Sequence, residues 1–198
     1  MNAQQYAKQT RQYFDNLAPI WDSICQHDKN KLQLLIDLAA PAPDSRMLDI
    51  GCGAGVMIEQ LLSANPRELL SLDISPLMIE QAKRKYCDPR LRLISKDFFD
   101  LEEEGFDLAI LYSVYPHFPL KKQLVRHTAH CLVNGGRFMV AHSENRQIIN
   151  TRHQNGMVAQ LSLPLKEAKE EAKIWQTCFE IDILIDTPQL YVISGWRI

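Results

Sequence analysis

Three glycines at alternate positions, Gly51, Gly53 and Gly55, close the apolar run Met47-Leu48-Asp49-Ile50, and a helix-like pattern follows them. A buried strand that turns sharply beneath a bound molecule has this form. Glycine lacks a Cβ, so the backbone can bend and approach a ligand closely. The turn alone names no ligand, because dinucleotides are cradled in a related way. The next element narrows the choice. Eighteen residues after Gly55, the run Leu69-Leu70-Ser71-Leu72 ends in Asp73, and Ile74-Ser75-Pro76 opens another helix. An acid at such a strand end can accept hydrogen bonds from both hydroxyls of a ribose. Turn and acid together read as a nucleoside site at the carboxyl edge of a parallel sheet.

Short apolar runs alternate with amphipathic stretches along the middle of the chain. Strands are predicted at 46–50, 68–72, 91–95, 106–112 and 136–141, with helices between them at 56–64, 76–87 and 119–132. Such alternation gives a parallel sheet with helices on both faces. Asn134-Gly135-Gly136 reads as a helix stop and turn before the fifth strand. Near the carboxyl end, Leu165, Ala168, Ala172 and Trp175 form a helical stripe opposite Lys166, Glu167, Lys169, Glu170 and Lys173, a solvated face. Strands at Cys178–Ile185 and Leu190–Trp196 are joined by a turn at Thr187-Pro188. So short a link requires an antiparallel pair. Residues 3–40 read as helical with a break near Pro19. Within them Leu32, Leu35, Ile36 and Ala39 line one face, and Pro41 and Pro43 end the helix.

The 198 residues suit one domain with a real core, and the formal net charge of −2 lacks the basic footprint of a nucleic-acid binder. The five cysteines (Cys25, Cys52, Cys87, Cys131, Cys178) are scattered, with no C-x-x-C pair, so neither a zinc site nor a disulfide framework is suggested. Cys52, inside the glycine turn, reads as a small space-filler and not as a nucleophile. The polar start Met1-Asn2-Ala3-Gln4-Gln5 lacks the pattern of a signal peptide. No apolar run approaches the ~18 residues that span a membrane. A cytoplasmic setting with no membrane partner is expected.

The chain resembles class I S-adenosylmethionine-dependent methyltransferases. The matching pieces are Leu48 to Gly55, Leu72-Asp73-Ile74-Ser75-Pro76 through Ala82, Ser95-Lys96-Asp97-Phe98, Phe106 to Ile110, and Leu132 to Phe138. Their order and spacing also match, over roughly residues 44–198, and the terminal hairpin is a hallmark of the family. The resemblance implies an α/β fold: a single Rossmann-like domain with a seven-stranded, mostly parallel sheet, an antiparallel carboxyl-terminal hairpin strand and helices on both faces. Residues 1–40 would be an amino-terminal helical lid and 41–198 the S-adenosylmethionine-binding domain.

The resemblance also carries site roles. Gly51, Gly53 and Gly55 would pass under the methionine moiety and the ribose. Asp49 would organise the turn and the methionine ammonium. Asp73, followed by Ile74, would hold the ribose hydroxyls. Asp97 would accept from the adenine amino group, with Phe98 beside it. Asp97 on its own reads rather as a helix cap or a turn residue after a strand, and the resemblance reverses that reading. Ser75 before Pro76 suits the helix N-cap better than Asp73 does. An NADH site fits less well, because Gly51-x-Gly53-x-Gly55 is not the G-x-G-x-x-G spacing.

The cofactor's methyl group is electrophilic on its sulfonium, so the protein must hold a nucleophile in line and exclude water. A thiolate or neutral amine needs no general base, whereas a hydroxyl usually benefits from one. Substrate residues are expected in three segments. Tyr13 to Asp22 supplies Tyr13 and Trp21, which either close over the ligands or pack on the core. Tyr112 to Phe118 supplies Tyr115 and His117, the first candidate for a base or substrate ligand. Ala141 to His153 supplies His142, close to where the methyl should point. If 144–154 is helical, it also supplies Arg146, Asn150 and His153 on one face. That face either binds an anionic substrate or is solvated. No metal is expected, because no carboxylate or cysteine is placed to complete a site with the histidines. The chain also lacks the acid cluster of magnesium-dependent catecholic members, the Asn/Asp-Pro-Pro-Tyr/Phe motif and the cysteine pattern of arsenite methylation.

The expected activity is methyl transfer to a small-molecule O, N or S acceptor, by a monomer or homodimer, with S-adenosylhomocysteine as the second product. The rivals are methylation of a protein or RNA, and binding of the cofactor without turnover.

Overall fold

Seven strands form one sheet in the computed structural model, which describes residues 2–198: β1 (Arg46–Ile50), β2 (Glu68–Asp73), β3 (Leu91–Ser95), β4 (Phe106–Tyr112), β5 (Leu132–His142), β6 (Phe179–Asp186) and β7 (Tyr191–Arg197). Their order is β3-β2-β1-β4-β5-β7-β6. β1, β2 and β3 pair in parallel, as do β4 and β5, whereas β7 runs antiparallel to both β5 and β6. The chain divides into two compact units between Leu101 and Glu102.

In the first unit, α1 (Ala3–Leu17) is capped by Asn2, whose side chain accepts the Gln5 N–H. The break expected near Pro19 is a 3-10 turn, Ala18–Ile20, leading into the single turn of α2 (Trp21–Ile24). α3 (Lys29–Ala39) is capped by Asp28 and ends where Ala40 turns left-handed at φ 46° before Pro41. Leu32, Leu35, Ile36 and Ala39 are all buried, as their spacing predicts. Each fully buried leucine or isoleucine of this kind contributes about 1.5–3 kcal/mol. α4 (Ile58–Ser63) follows the glycine turn. α5 (Pro76–Lys85) starts on Ser75, whose hydroxyl accepts the Met78 N–H at 3.1 Å, with Pro76 in the first position. The amino-terminal helices are fastened to α5 twice. Ser75 Oγ donates to Asp15 at 2.6 Å, and Lys85 pairs with Asp22 at 3.0 Å. The second pair is exposed and adds little; the first is shorter and half-buried.

In the second unit, α6 (Lys121–Cys131), α7 (Arg146–Arg152) and α8 (Ala168–Trp175) accompany β4 to β7. Leu165, Ala168, Ala172 and Trp175 are buried, and the charged face opposite is exposed. The indole of Trp175 stacks on Phe138 with centroids 3.9 Å apart and planes 3° from parallel, and Phe179 closes the group at 4.5 Å from Phe138. Arg137 is only 5% exposed, and two of its three guanidinium nitrogens are matched while Nε has no partner. Its guanidinium meets Asp182 at 2.5 Å and Ser194 at 2.7 Å, and lies 3.8 Å from the Trp196 ring centroid. Double hydrogen bonding offsets the cost of burying the charge.

One expectation needs correction. Asn134-Gly135-Gly136 does not separate a helix from a strand. β5 starts at Leu132, opposite Phe106, and the next partners are Leu108 and Arg137, so the glycines lie in a bulge. Gly135 takes φ 72° there, which the pattern of a helix stop and of a bulge share. All five cysteines are free thiols. Among the described residues, no helix is long and apolar enough to cross a membrane.

Candidate active site

The glycine turn is built by Asp73. Its carboxylate sits at the end of β2, where one oxygen accepts the Gly53 N–H at 2.9 Å and the other the Ser75 N–H at 2.8 Å. One side chain thus ties the turn after β1 to the start of α5. The Gly51 and Cys52 N–H groups donate to the Leu72 carbonyl at 2.8 and 3.0 Å, which brings the turn against the same strand end. Gly51, Gly53 and Gly55 all adopt positive φ, at 69°, 53° and 92°. They differ in what surrounds them. A Cβ on Gly53 would meet the Trp21 indole at an ordinary 3.5 Å, but one on Gly55 would strike Ile58 and Tyr86 at 2.8 Å. Gly55 is therefore glycine for internal packing as well as for its backbone.

Asp49 lies beside this turn, 1% exposed, on the β1 position paired with Ser71. Ser71 Oγ donates to it at 3.2 Å, and among the described residues no cationic side chain pairs with it. Burial pushes its carboxyl up to about 7, with Ser71 opposing and Asp73 adding repulsion. Asp73 is likewise pushed up to about 6 by burial, against the two N–H donors. Two buried acids without a cation make this a place where a positive group is favoured. Cys52 beside them is buried, and its thiol is pushed well up, first by burial and then by the two acids, so it is inert. Ile74 is half-buried next to Asp73.

Asp97 caps the 3-10 turn Phe98–Asp100, accepting the Phe99 N–H at 3.0 Å. The Phe98 ring is buried, 3% exposed. Trp21 lies against Gly53 and packs edge-on to Phe14 at 5.8 Å, while Ala18, Ala54 and Met78 form the core beneath. Tyr13 packs edge-on to Phe14 at 5.2 Å. Both aromatics remain half-buried.

In the second unit the candidates separate into two groups. Tyr115 is fully buried. Its hydroxyl donates to Glu171 at 2.9 Å and accepts from the Trp175 indole at 3.4 Å, which is a role in the core. Arg146 is held by Asp186 at 3.1 Å, with Glu167 at 4.0 Å, and Asn150 bonds both the N–H and the carbonyl of Leu165. These side chains fasten α7 to neighbouring chain.

His117, His142 and His153 form the other group. His117 Nδ1 meets the Leu161 carbonyl at 2.8 Å and Ser162 Oγ at 3.1 Å, and its ring stands 5.0 Å from that of His153. The carbonyl fixes the neutral tautomer with the proton on Nδ1. His142, at the end of β5, is 2% exposed. Burial lowers His117 to about 4 and His142 to about 3, with the neighbouring basic groups adding to the effect. Among the described residues, no three His, Cys, Asp or Glu side chains are placed to hold a metal.

Two features here have no sequence signal. Lys121, first residue of α6, donates to the Tyr115 carbonyl, and its Nζ stands 3.1 Å from the Tyr115 ring centroid. Burial lowers it to about 7. Ser113, directly after β4, takes the left-handed φ of 53°, and its N–H donates to Ala141 at 2.9 Å. Left-handed backbone at a non-glycine residue stores strain of ~1–3 kcal/mol and is enriched at functional turns.

Residues 48–138 match a family described as a methyltransferase domain. Over 151 residues the chain is 27% identical to malonyl-[acyl-carrier protein] O-methyltransferase 1 of Ilyobacter polytropus, covering 73% of this chain and 56% of that protein. Over 109 residues it is 31% identical to aklanonic acid methyltransferase DauC of Streptomyces sp. strain C5, covering 54% and 50%. The chain thus spans about half the length of these curated relatives. The solved complex of DhpI with S-adenosylhomocysteine shares the fold, with a TM-score of 0.77 over 99% of this chain and 98% of that one, at 14% identity.

Proposed function

We propose that this chain, whose residues 48–138 match a methyltransferase domain, is a class I S-adenosylmethionine-dependent methyltransferase and transfers a methyl group to an O, N or S atom of a small-molecule acceptor. The observation that carries this is the pair Asp49 and Asp73 around the Gly51–Gly55 turn. Both acids are buried, and among the described residues no cationic side chain neutralises either. The donor set fits the cofactor. Asp49 would hold the ammonium of the methionine moiety. Asp73, fixed by Gly53 and Ser75, keeps lone pairs on both oxygens for two ribose hydroxyls. The Phe98 N–H and the Asp97 carboxylate would take the adenine edge, with Asp97 continuing to cap its turn. Trp21, against Gly53, would cover this end of the site and exclude water.

When bound, S-adenosylmethionine supplies a methyl group already activated by its sulfonium. The residues of this chain then contribute position and a dry environment, which can supply ~7–11 kcal/mol of the barrier reduction. The acceptor residues are expected among His117, His142 and His153. The first curated relative is named as an O-methyltransferase of malonyl-[acyl-carrier protein], which favours an oxygen acceptor. The protein would work in the cytoplasm as a monomer or homodimer.

Calorimetric titration with S-adenosylmethionine, S-adenosylhomocysteine and NADH tests the reading. Micromolar binding of the first two alone is expected. Absence of binding to either would overturn it.

A further inference from the structure

Among the described residues three buried ring nitrogens make no hydrogen bond, Nε2 of His127, Nε2 of His142 and Nδ1 of His153, and His142 couples to other basic groups. His142 is 2% exposed, and its Nε2 has no hydrogen-bond partner. His153 Nδ1, in the same unit, is also buried without a partner. A buried polar atom left this way costs ~1–3 kcal/mol, so it calls for an occupant. The charged groups that influence His142 are, in order, His153, Lys121, His117 and Arg152, and all are basic. The two acids near them are already engaged. Glu171 accepts the Tyr115 hydroxyl at 2.9 Å, and Glu144 pairs with Arg152 at 2.8 Å.

Resting on the methyltransferase reading, we propose that the group His117, His142 and His153, with Lys121, is the acceptor subsite, and that the acceptor presents a carboxylate to it. A carboxylate offers about four lone-pair positions and no proton, so it suits His142 and His153 donating from their unpartnered nitrogens, and His117, whose Nδ1 proton is given to Leu161, once its Nε2 takes up a proton. A hydroxyl or ammonium acceptor must lose a proton; histidines held neutral at about 3 and 4 are weak bases for that task, and Lys121, lowered to about 7, is turned to the Tyr115 carbonyl. A carboxylate is already deprotonated at neutral pH, so the subsite only has to hold and desolvate it. The empty cluster avoids stacking like charges by staying neutral. An arriving anion reverses that balance and favours proton uptake by the imidazoles and by Lys121. Anion binding is therefore expected to tighten as pH falls from 7 to 5.

The test is a titration with acetate as the smallest carboxylate and acetamide as its neutral counterpart. It is followed by NMR of the ring C–H signals of the six histidines. Affinity for so small a probe is expected near the millimolar range or weaker, so titration runs to ~0.1 M. Acetate should shift His117, His142 and His153 saturably, more strongly at pH 5.5 than at pH 7.5, and leave His27, His127 and His130 in place. Acetamide should do neither. His142→Phe removes the orphaned nitrogen, so it should fold at least as stably as the parent while weakening acetate ~tenfold or more. His153→Gln, at a less buried position, should weaken acetate in the same direction. Equal shifts by acetate and acetamide, no shift at ~0.1 M, or unchanged affinity in both variants would overturn the proposal. Calorimetry with S-adenosylhomocysteine on the same sample separates the two readings. If it binds while acetate moves no ring, the carboxylate subsite alone falls. If it fails to bind, the acceptor role falls with the methyltransferase reading even where acetate binds.

Discussion

The carboxylate of Asp73 accepts the backbone N–H of Gly53 at 2.9 Å, joining the end of one strand to the turn that follows its neighbour. This bond gives Asp73 a structural role beside the ribose-binding one proposed for it. Asp73→Ala would lose both functions at once. Asp73→Asn keeps the shape but sets an amide N–H against either the Gly53 or the Ser75 N–H, so a thermal melt beside the titration separates the binding loss from the structural one. This variant should weaken S-adenosylhomocysteine by ~1.5–3 kcal/mol, the scale for a hydrogen bond to a charged group. Calorimetry gives the answer, and unchanged affinity would remove the ribose assignment.

Asp49 predicts a proton linkage. Its carboxyl is raised to about 7 from an unfolded value of 3.8, so between these values the folded protein holds the extra proton. Stability from this group is present below pH ~4 and is lost as pH rises toward 7. Asp49→Asn should leave stability unchanged at pH 4 and raise it by ~2–4 kcal/mol at pH 8, since a tenfold change in proton affinity corresponds to about 1.4 kcal/mol. The same variant should weaken S-adenosylmethionine. Binding of the ammonium favours the ionised carboxylate, so the parent should release protons on binding at pH 6–7, measurable in buffers of different ionisation enthalpy.

The buried histidines act with the opposite sign. His117 and His142 fall to about 4 and about 3 from 6.5, so the unfolded chain binds more protons between these values. Their contribution is intact above pH ~6.5 and is lost progressively as pH falls toward 4. Thermal melts of His142→Phe should show a shallower loss across this range than the parent. A parallel loss in both proteins would contradict the buried neutral state of His142.

Gly55 and Gly53 should respond differently to alanine. At Gly55 the new methyl group meets Ile58 and Tyr86 at 2.8 Å, and φ is 92°. At Gly53 the nearest atom is 3.5 Å away and φ is 53°, inside the small left-handed region. Gly53→Ala should cost about 1 kcal/mol and Gly55→Ala at least ~2–3 kcal/mol, from backbone strain plus overpacking. Urea denaturation ranks the two, and equal costs would show that the Tyr86 contact yields freely.

The glycine turn, the Ser75 cap and the buried stripes of α3 and α8 were legible in sequence because each rests on local chemistry. A glycine reports its own φ, and a helix face repeats at three and four residues. Asp73 was legible as an acid at a strand end, but its grip on Gly53 spans 20 positions and has no local pattern. The early start of β5 was hidden for a related reason, since Gly135 serves a bulge as well as a helix stop. Tyr115 shows the limit most clearly. It sits in the loop segment where acceptor residues were expected, but Glu171, 56 positions later, turns its hydroxyl into the core. Lys121, followed by Lys122, carries no sequence signal either. Only its burial against the Tyr115 ring, a tertiary contact, gives it a depressed pKa.

The three tryptophans occupy different surroundings, and this gives the chain its own optical reporters. Trp21 is the one tryptophan of the first unit, half-buried against Gly53. Trp175, flat against Phe138 and out of water, emits from a rigid apolar site, whereas Trp196 lies 39% exposed over Arg137. Fluorescence of a Trp196→Phe variant therefore resolves two signals, a blue-shifted one from the core around Phe138 and a redder one from the glycine turn. Quenching by iodide would reach the second and spare the first. Filling of the nucleoside site would be visible as loss of that quenching, without any label on the ligand.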